Sequence, residues 1–299
     1  MSAATPPPAL IVNADDYGYF RCVSAGILRA ATEGIVTATG VFANRPDLEA
    51  DAARLRDHPA IDVGVHLNLT DGTPLTEALR SRLGQWSGQF PGKYALAVAV
   101  LAGRIPRDDV AREWRAQIER CLACGLQPVF INSHEHVHML PPLFPITTVL
   151  AREYGVAHIR FPTAERAARA SAGGVFRNAV MKTLGVFNRS PAGLPAARFL
   201  GLQQSGRLDP RYFEETIPRL QPGEVYELMC HPGQLDRGEV DDPRLLGYHD
   251  WEGELALLTS PAAKDLLQRH GVQLVGYRDL LIENGRLVAR KKASPRAAQ

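Results

Sequence analysis

The amino-acid sequence predicts an α/β fold, a closed or nearly closed (β/α) barrel of about seven mostly parallel strands. Three observations point there. Short β-branched runs alternate with amphipathic, helix-like stretches, the rhythm of repeated βαβ units. The chain has 299 residues, ordinary for one such barrel and ample for one large core. Finally, Asp15, Asp16, His66, His134 and His231 all fall at or just past the ends of those runs. C-terminal strand ends are where such folds gather reactive groups. An open doubly wound sheet is the alternative, and it makes the same prediction about strand ends.

Taken in order, residues 9–13 read as a buried strand and 23–33 as a helix stopped by Gly34, a residue suited to the position after a helix end. Residues 35–43 are β-branched and apolar, a second strand; 46–56 are helical, with Pro46 near the first turn. A third strand spans 61–69. Residues 110–124 form a long amphipathic helix with Ile118, Cys121 and Leu122 on its apolar side. A strand at 128–131, a helix at 143–154 and a strand at 156–161 follow. Residues 225–230 and 273–275 are the last two strands, with helical patterns at 261–270 and 277–282. Two stretches break the rhythm: 70–107, rich in Gly, Pro and aromatics, and 164–204, rich in Ala, Arg and Gly. Loops this long in a compact domain commonly serve as lids or binding segments. No internal repeat or linker divides the chain, so one domain is expected over 1–299, with flexible tails near 1–8 and 287–299.

Composition narrows the function. Hydrophobic residues make up 45%, charged residues 22%, and the formal net charge is +2. That describes a globular chain with no overall basic field for nucleic acid. The one basic cluster, Arg290-Lys291-Lys292 with Arg296 beyond, reads as a solvated tail. A weak attraction of that tail to an anionic membrane surface is the second reading. Residues 1–8 show no basic-then-apolar leader, and no run of about 18 apolar residues occurs, so the expected location is cytoplasmic. Cys121 and Cys124 form a CxxC at the end of a helical pattern, without a second pair, and are expected to be ordinary thiols.

The chemistry lies in four clusters: Asn13-Ala14-Asp15-Asp16-Tyr17-Gly18, Val65-His66-Leu67-Asn68, His134-Glu135-His136-Val137-His138, and Cys230-His231-Pro232-Gly233. Carboxylate and imidazole ligands suit a divalent ion with an open coordination position. Adjacent Asp15 and Asp16 diverge on a strand, so one can bind a metal while the other acts as base; a plain turn is the alternative. His66 taken alone reads more often as a satisfied core or rim histidine, and the third cluster shifts that weighting toward a ligand. Three histidines at alternate positions would share one face if the strand continued through them, with one or two binding metal and the rest meeting substrate or orienting ligands. Glu135 would then point away, toward a Lys or Arg. His231 suits a general acid. No G-x-S-x-G, phosphate-binding loop or G-x-G-x-x-G is present, which removes support for serine hydrolases, P-loop NTPases and Rossmann dehydrogenases.

At these residues the chain resembles the YdjC-like carbohydrate deacetylases, which include the chitooligosaccharide deacetylases. The matching pieces are Ile11 to Gly18, Gly34 to Thr39, Gly64 to Thr70, Asn132 to Met139, Met229 to Pro232 and Tyr277-Arg278-Asp279. The resemblance implies a deformed (β/α) barrel of the glycoside hydrolase and deacetylase type. It implies hydrolysis of an N-acetyl group on an amino sugar, with one divalent ion held by Asp16, His66 and His134, Asp15 as base and His231 as acid. Mg2+ or Zn2+ is expected, with Ni2+, Co2+ and Mn2+ also compatible. The family usually has Asp where this chain has Asn132. Asn132, His136, His138, Arg160, Trp86 and Tyr94 are expected to bind substrate or support the ligands. The segments at 85–94 and 139–145 resemble a hopanoid-biosynthesis-associated subgroup, which implies a lipid-linked N-acetylglucosamine; the family resemblance is compatible with a homodimer, and peripheral membrane contact would run through the long loop or the basic tail. Two competing readings stand beside this one. A metal phosphoesterase would need Arg160 and Arg278 as a phosphate clamp, and a sugar- or lipid-binding module would carry a degenerate site.

Overall fold

The structure is a computed structural model that describes residues 5–165, 172–188 and 195–290. Its main sheet contains β1 (Ala9–Tyr17), β2 (Ala38–Val41), β3 (Asp62–Leu67), β4 (Phe130–Ser133), β5 (His158–Ile159), β6 (Arg198–Leu200) and β7 (Val225–Cys230). The order is β5-β4-β3-β2-β1-β7-β6, every pair parallel, and β8 (Gln273–Leu274) adds to the start of β1. Helices α1 (Arg21–Thr32), α2 (Leu48–Arg56), α3 (Glu77–Arg82), α4 (Lys93–Leu101), α5 (Arg107–Ala123), α6 (Phe144–Glu153), α7 (Ala172–Phe187), α8 (Pro210–Thr216), α9 (Pro243–Tyr248), α10 (Trp251–Thr259) and α11 (Pro261–Arg269) fill the connections.

The sheet curls, and one side chain shows it. Arg160, just past β5, donates to Asp15 on β1 at 2.6 and 2.9 Å and to Glu227 on β7 at 2.6 Å. In a flat sheet β5 would lie four strand spacings, ~19 Å, from β1, well beyond an arginine's reach. The strands therefore wrap around a shared interior, giving a deformed barrel with β5 and β6 at its hydrogen-bonded edges.

Alternation along β1 sorts the two faces. Leu10, Val12 and Ala14 join the large outer core with Val23, Ile27 and Trp114. Ala9 and Ile11 face inward with Ala38, Phe130, Val225 and Tyr277, which plug the lower barrel. Phe130 and Tyr277 stack with centroids 4.1 Å apart. Gly64 makes room for that stack, since a Cβ there would lie 2.5 Å from the Phe130 ring. Above the plug the interior turns polar, and there the inward positions are Asn13 and Asp15.

Several expectations need correction. The segment 70–107 folds into α3, a 3-10 turn at Gly84–Trp86, and α4. Its Phe90 and Leu96 are buried in the outer core. The stretch 164–204 contains α7 and β6, with residues 166–171 and 189–194 outside the described set. Residues 277–282 are a 3-10 turn, Tyr277–Asp279, leading into a hairpin of β9 (Leu280–Glu283) and β10 (Arg286–Ala289). A side-chain carboxylate explains the turn: Asp279 Oδ2 accepts from the Gly276 N–H at 3.0 Å. The basic tail beyond Arg290 lies outside the described residues.

Candidate active site

Asp15 and Asp16 reach one site by a local break in β1. The register against β2 slips between Ala14 and Tyr17, and Asp16 adopts φ 71°, in the left-handed region. This is a bulge, and bulges re-aim side chains next to functional sites. Asp15 keeps the inward direction set by Ile11 and Asn13. Asp16 turns toward the barrel mouth, where its Oδ1 lies 2.9 Å from His134 Nδ1 and 3.1 Å from His66 Nε2.

These three residues each offer a ligand atom, and the atoms lie within 4.8 Å of one another. The fit to a cation can be tested on His66. Asn132 Nδ2 donates to Asp15 Oδ1 at 2.9 Å, so its Oδ1 faces His66 Nδ1 at 2.8 Å. An amide oxygen only accepts, so the proton sits on Nδ1 and the lone pair on Nε2. That Nε2 is buried and has no hydrogen-bond partner. A buried imidazole lone pair aimed between a carboxylate and a second imidazole fits a divalent ion. Phe42 seals the back of the group, with its ring 5.1 Å from His66 and 4.9 Å from His134. Tyr19 stacks on Phe42 at 5.1 Å.

Asp15 is held differently. Its Oδ1 accepts from Asn13 at 2.7 Å, Asn132 at 2.9 Å and Arg160 at 2.9 Å, while Oδ2 accepts only from Arg160, at 2.6 Å. Burial opposes ionisation of this carboxyl, but Arg160 and His66 outweigh it and leave the pKa below its ordinary value. For Asp16 burial is likewise outweighed, by His134 and His66, and the carboxyl sits well below the usual range. Burial pulls the His134 imidazole down, and Asp16 more than offsets it, so its pKa ends raised.

His231 follows β7. Its backbone N–H donates to Glu254 of α10 at 2.5 Å, and its Nδ1 is buried with no hydrogen-bond partner. His249 lies 5.2 Å away, stacked on Trp251 at 4.7 Å. Burial, with His231 alongside, pushes the His249 imidazole down to about 3.

Residues 9–269 match the sequence profile described as YdjC-like protein. The chain belongs to the YdjC-like protein family. Among its relatives, a carbohydrate deacetylase of Geobacillus stearothermophilus is 35% identical over 278 residues, covering 91% of this chain and 98% of the relative. A chitooligosaccharide deacetylase of Klebsiella pneumoniae is 33% identical over 280 residues, with 91% and 98% covered. The crystal structure of a proposed cellobiose-phosphate cleavage protein from Enterococcus faecalis superposes with a TM-score of 0.71 at 25% identity, covering 92% of this chain and 98% of that one.

This YdjC-like chain brings Asp15, Asp16, His66, Asn132, His134 and Arg160 into one connected group. The three-histidine strand does not exist. β4 ends at Ser133, and Glu135 and His136 adopt φ 52° and 55° inside a 3-10 turn, His134–Met139, so alternation stops at His134. His138 turns away: its Nδ1 pairs with Ser133 Oγ at 2.6 Å and its Nε2 with the Arg160 carbonyl at 2.9 Å. It braces the Arg160 backbone. His136 stands edge-on to Phe199 at 5.6 Å, and burial followed by Arg160 holds its pKa well below normal. Glu135 does point away, to Lys93 at 2.8 Å. Trp86 packs on the outer core, and Tyr94 is 69% exposed beside Lys93. Neither of the expected phosphate clamps is available. Arg160 is committed to Asp15 and Glu227, and Arg278 binds Asp62 and the carbonyls of Pro59 and Ile61. Sequence reasoning missed Glu227, Glu254, Phe42 and Tyr19. Asn13 alone carried a signal, two places before Asp15 on the same strand face.

Proposed function

We propose that this chain is a metal-dependent N-acetyl amino-sugar deacetylase with Asp16, His66 and His134 as ligands. The observation that carries the reading is the buried, partnerless His66 Nε2 facing Asp16 and His134 while Asn132 occupies Nδ1. The deacetylase names of its relatives supply the reaction class. A divalent ion in this group supplies Lewis acidity toward the acetamide carbonyl and lowers the pKa of water beside it. The rest falls to the side chains. Asp15, kept ionised by Arg160, accepts the proton of the attacking water on Oδ2, the oxygen with fewer donors. His231, just past the end of β7, donates a proton to the departing amine. The C–N bond breaks, and acetate and the free amino sugar leave. Neutral His136, beside Phe199, meets the sugar.

The finer substrate we propose is a lipid-linked N-acetylglucosamine of the hopanoid type, supported by the resemblance at 85–94 and 139–145. A soluble chitooligosaccharide is the second reading, favoured by the name of the Klebsiella relative. Acetate release from an N-acetylglucosaminyl lipid and from N,N′-diacetylchitobiose separates them. Release from the lipid alone supports the first, release from the disaccharide the second, and release from neither contradicts the deacetylase reading.

A further inference from the structure

We infer that the face formed by α4 and α7 docks this protein on an anionic lipid bilayer. Both helices present apolar side chains to solvent where a helix of a monomeric protein ordinarily presents charge. On α4 the exposed stripe is Tyr94, Val98 and Leu101, spaced four and three residues apart on one face, with Leu96, Ala99 and Val100 buried on the other. On α7 it is Val175, Phe176, Val186 and Phe187, with Gly174 and Met181 buried. Phe187 is 70% exposed and Val98 63%. These seven residues are most of the large exposed hydrophobics among the described residues; Leu122, Val149, Tyr248 and Ile282 are the others.

The two helices meet the same element. Both pack against the His134–Met139 turn that carries the ligand His134, and Lys93 at the start of α4 pairs with Glu135 of that turn. The apolar face is therefore built around the rim of the site.

Charge decides the occupant. From Lys93 to Arg107 the chain has no carboxylate, and α7 has none across its length. The charged residues are Lys93, Arg104 and Arg107 on the α4 side and Arg177 and Lys182 on α7; the next acid, Asp108, opens α5. Arg177 is turned inward to the Leu202 and Gln203 carbonyls, and the others except Lys93 have no ion pair among the described residues. Glu135 of the turn is paired with Lys93, and the helices themselves carry no acid, so an apolar stripe flanked by Arg104, Arg107 and Lys182 matches the headgroup boundary of an anionic bilayer. A second copy of the same face would place Arg104, Arg107 and Lys182 against their own counterparts. None of this depends on the hydrolytic chemistry, so docking and deacetylation can fail separately.

Co-sedimentation of the full chain with phosphatidylcholine vesicles and with phosphatidylcholine–phosphatidylglycerol vesicles tests the inference. The variants are Val98→Glu with Leu101→Glu, and Phe176→Glu with Phe187→Glu. All four side chains are exposed, and an unchanged circular dichroism melt certifies the fold. Expected are partition onto the anionic vesicles, weaker partition onto neutral ones, loss on raising salt, and a drop of roughly tenfold or more in each variant. Absence of binding, binding that the variants leave unchanged, or a dimer that the same substitutions convert to monomer would each overturn it.

Discussion

A single amide, Asn132, ties the Asp16–His66–His134 group to Asp15, the carboxylate proposed as the base. Its oxygen fixes the His66 tautomer and its nitrogen steadies Asp15. A carboxylate at this position would face Asp15 Oδ1 across 2.9 Å, and one of the two would have to carry a proton. The neutral amide of Asn132 thus leaves Asp15 ionised. From this geometry, Asp15→Asn should lower turnover by roughly 10²–10⁴-fold while the protein still binds one ion, as read by acetate release and metal analysis. Retained turnover would remove Asp15 from the role of base. His66→Ala should lower metal occupancy, and an unchanged metal content would refute its role as ligand. His138 gives a stability test. Burial depresses its pKa from 6.5 to about 4, so its neutral form favours the folded state above pH 6.5, and that advantage is lost as pH falls toward 4. The stability gap between the wild type and His138→Gln should therefore be widest above pH 6.5 and narrow by ~3 kcal/mol near pH 4. Urea midpoints at both ends of the range measure it, and a gap independent of pH contradicts the assignment.

At the scale of elements, the site is made by two departures from regular strand geometry. The bulge at Asp16 and the left-handed pair Glu135–His136 both lie where strands meet loops. Neither was legible in the sequence, because a bulge depends on the partner strand and a left-handed residue other than Gly leaves little local signal. For that reason Asp15, Asp16, His66 and His134 were readable from strand ends, whereas the expected alternation of His136 and His138 failed. Gly40 of β2 is the matching cradle. A Cβ there would lie 2.8 Å from Asn132 Oδ1 and 3.0 Å from His66 Nδ1. Gly40→Ala should displace that hydrogen bond and weaken metal affinity by about tenfold, within the range seen when ligand-orienting partners are lost. Isothermal titration checks it, and wild-type affinity would show that the bond orients nothing. The CxxC belongs to the same lesson. Cys121 is buried in the outer core, where desolvation pushes its thiol up to about 12, so it packs as an apolar side chain.

Across the whole molecule, alternation of strand and helix patterns was enough to read a parallel α/β barrel, since β1, β3 and β7 are the longest strands and carry enough residues for a pattern. The strand expected at 156–161 shrinks to β5, and β6 was missed inside the stretch 164–204, because two or three residues carry no period. Residues 277–282, which include most of β9, were read as helix, and β10 fell largely in the expected flexible tail, the pattern being ambiguous at that length. A nearly closed barrel was expected, but the contact that marks the curl, Arg160 reaching Asp15 and Glu227 across the interior, has no signature in the pattern. Arg160→Met should cost about 3–5 kcal/mol by leaving two buried carboxylates without their cation, and a loss below 1 kcal/mol would show that the barrel closes without it. The central claim, hydrolysis that depends on an ion held by Asp16, His66 and His134, is tested most directly by stripping the protein with chelator and titrating a divalent metal back. Acetate release from an N-acetylated amino sugar and bound metal per chain are followed together. The account predicts that activity returns in proportion to occupancy and saturates at one ion per chain. Full activity in metal-free protein would contradict it.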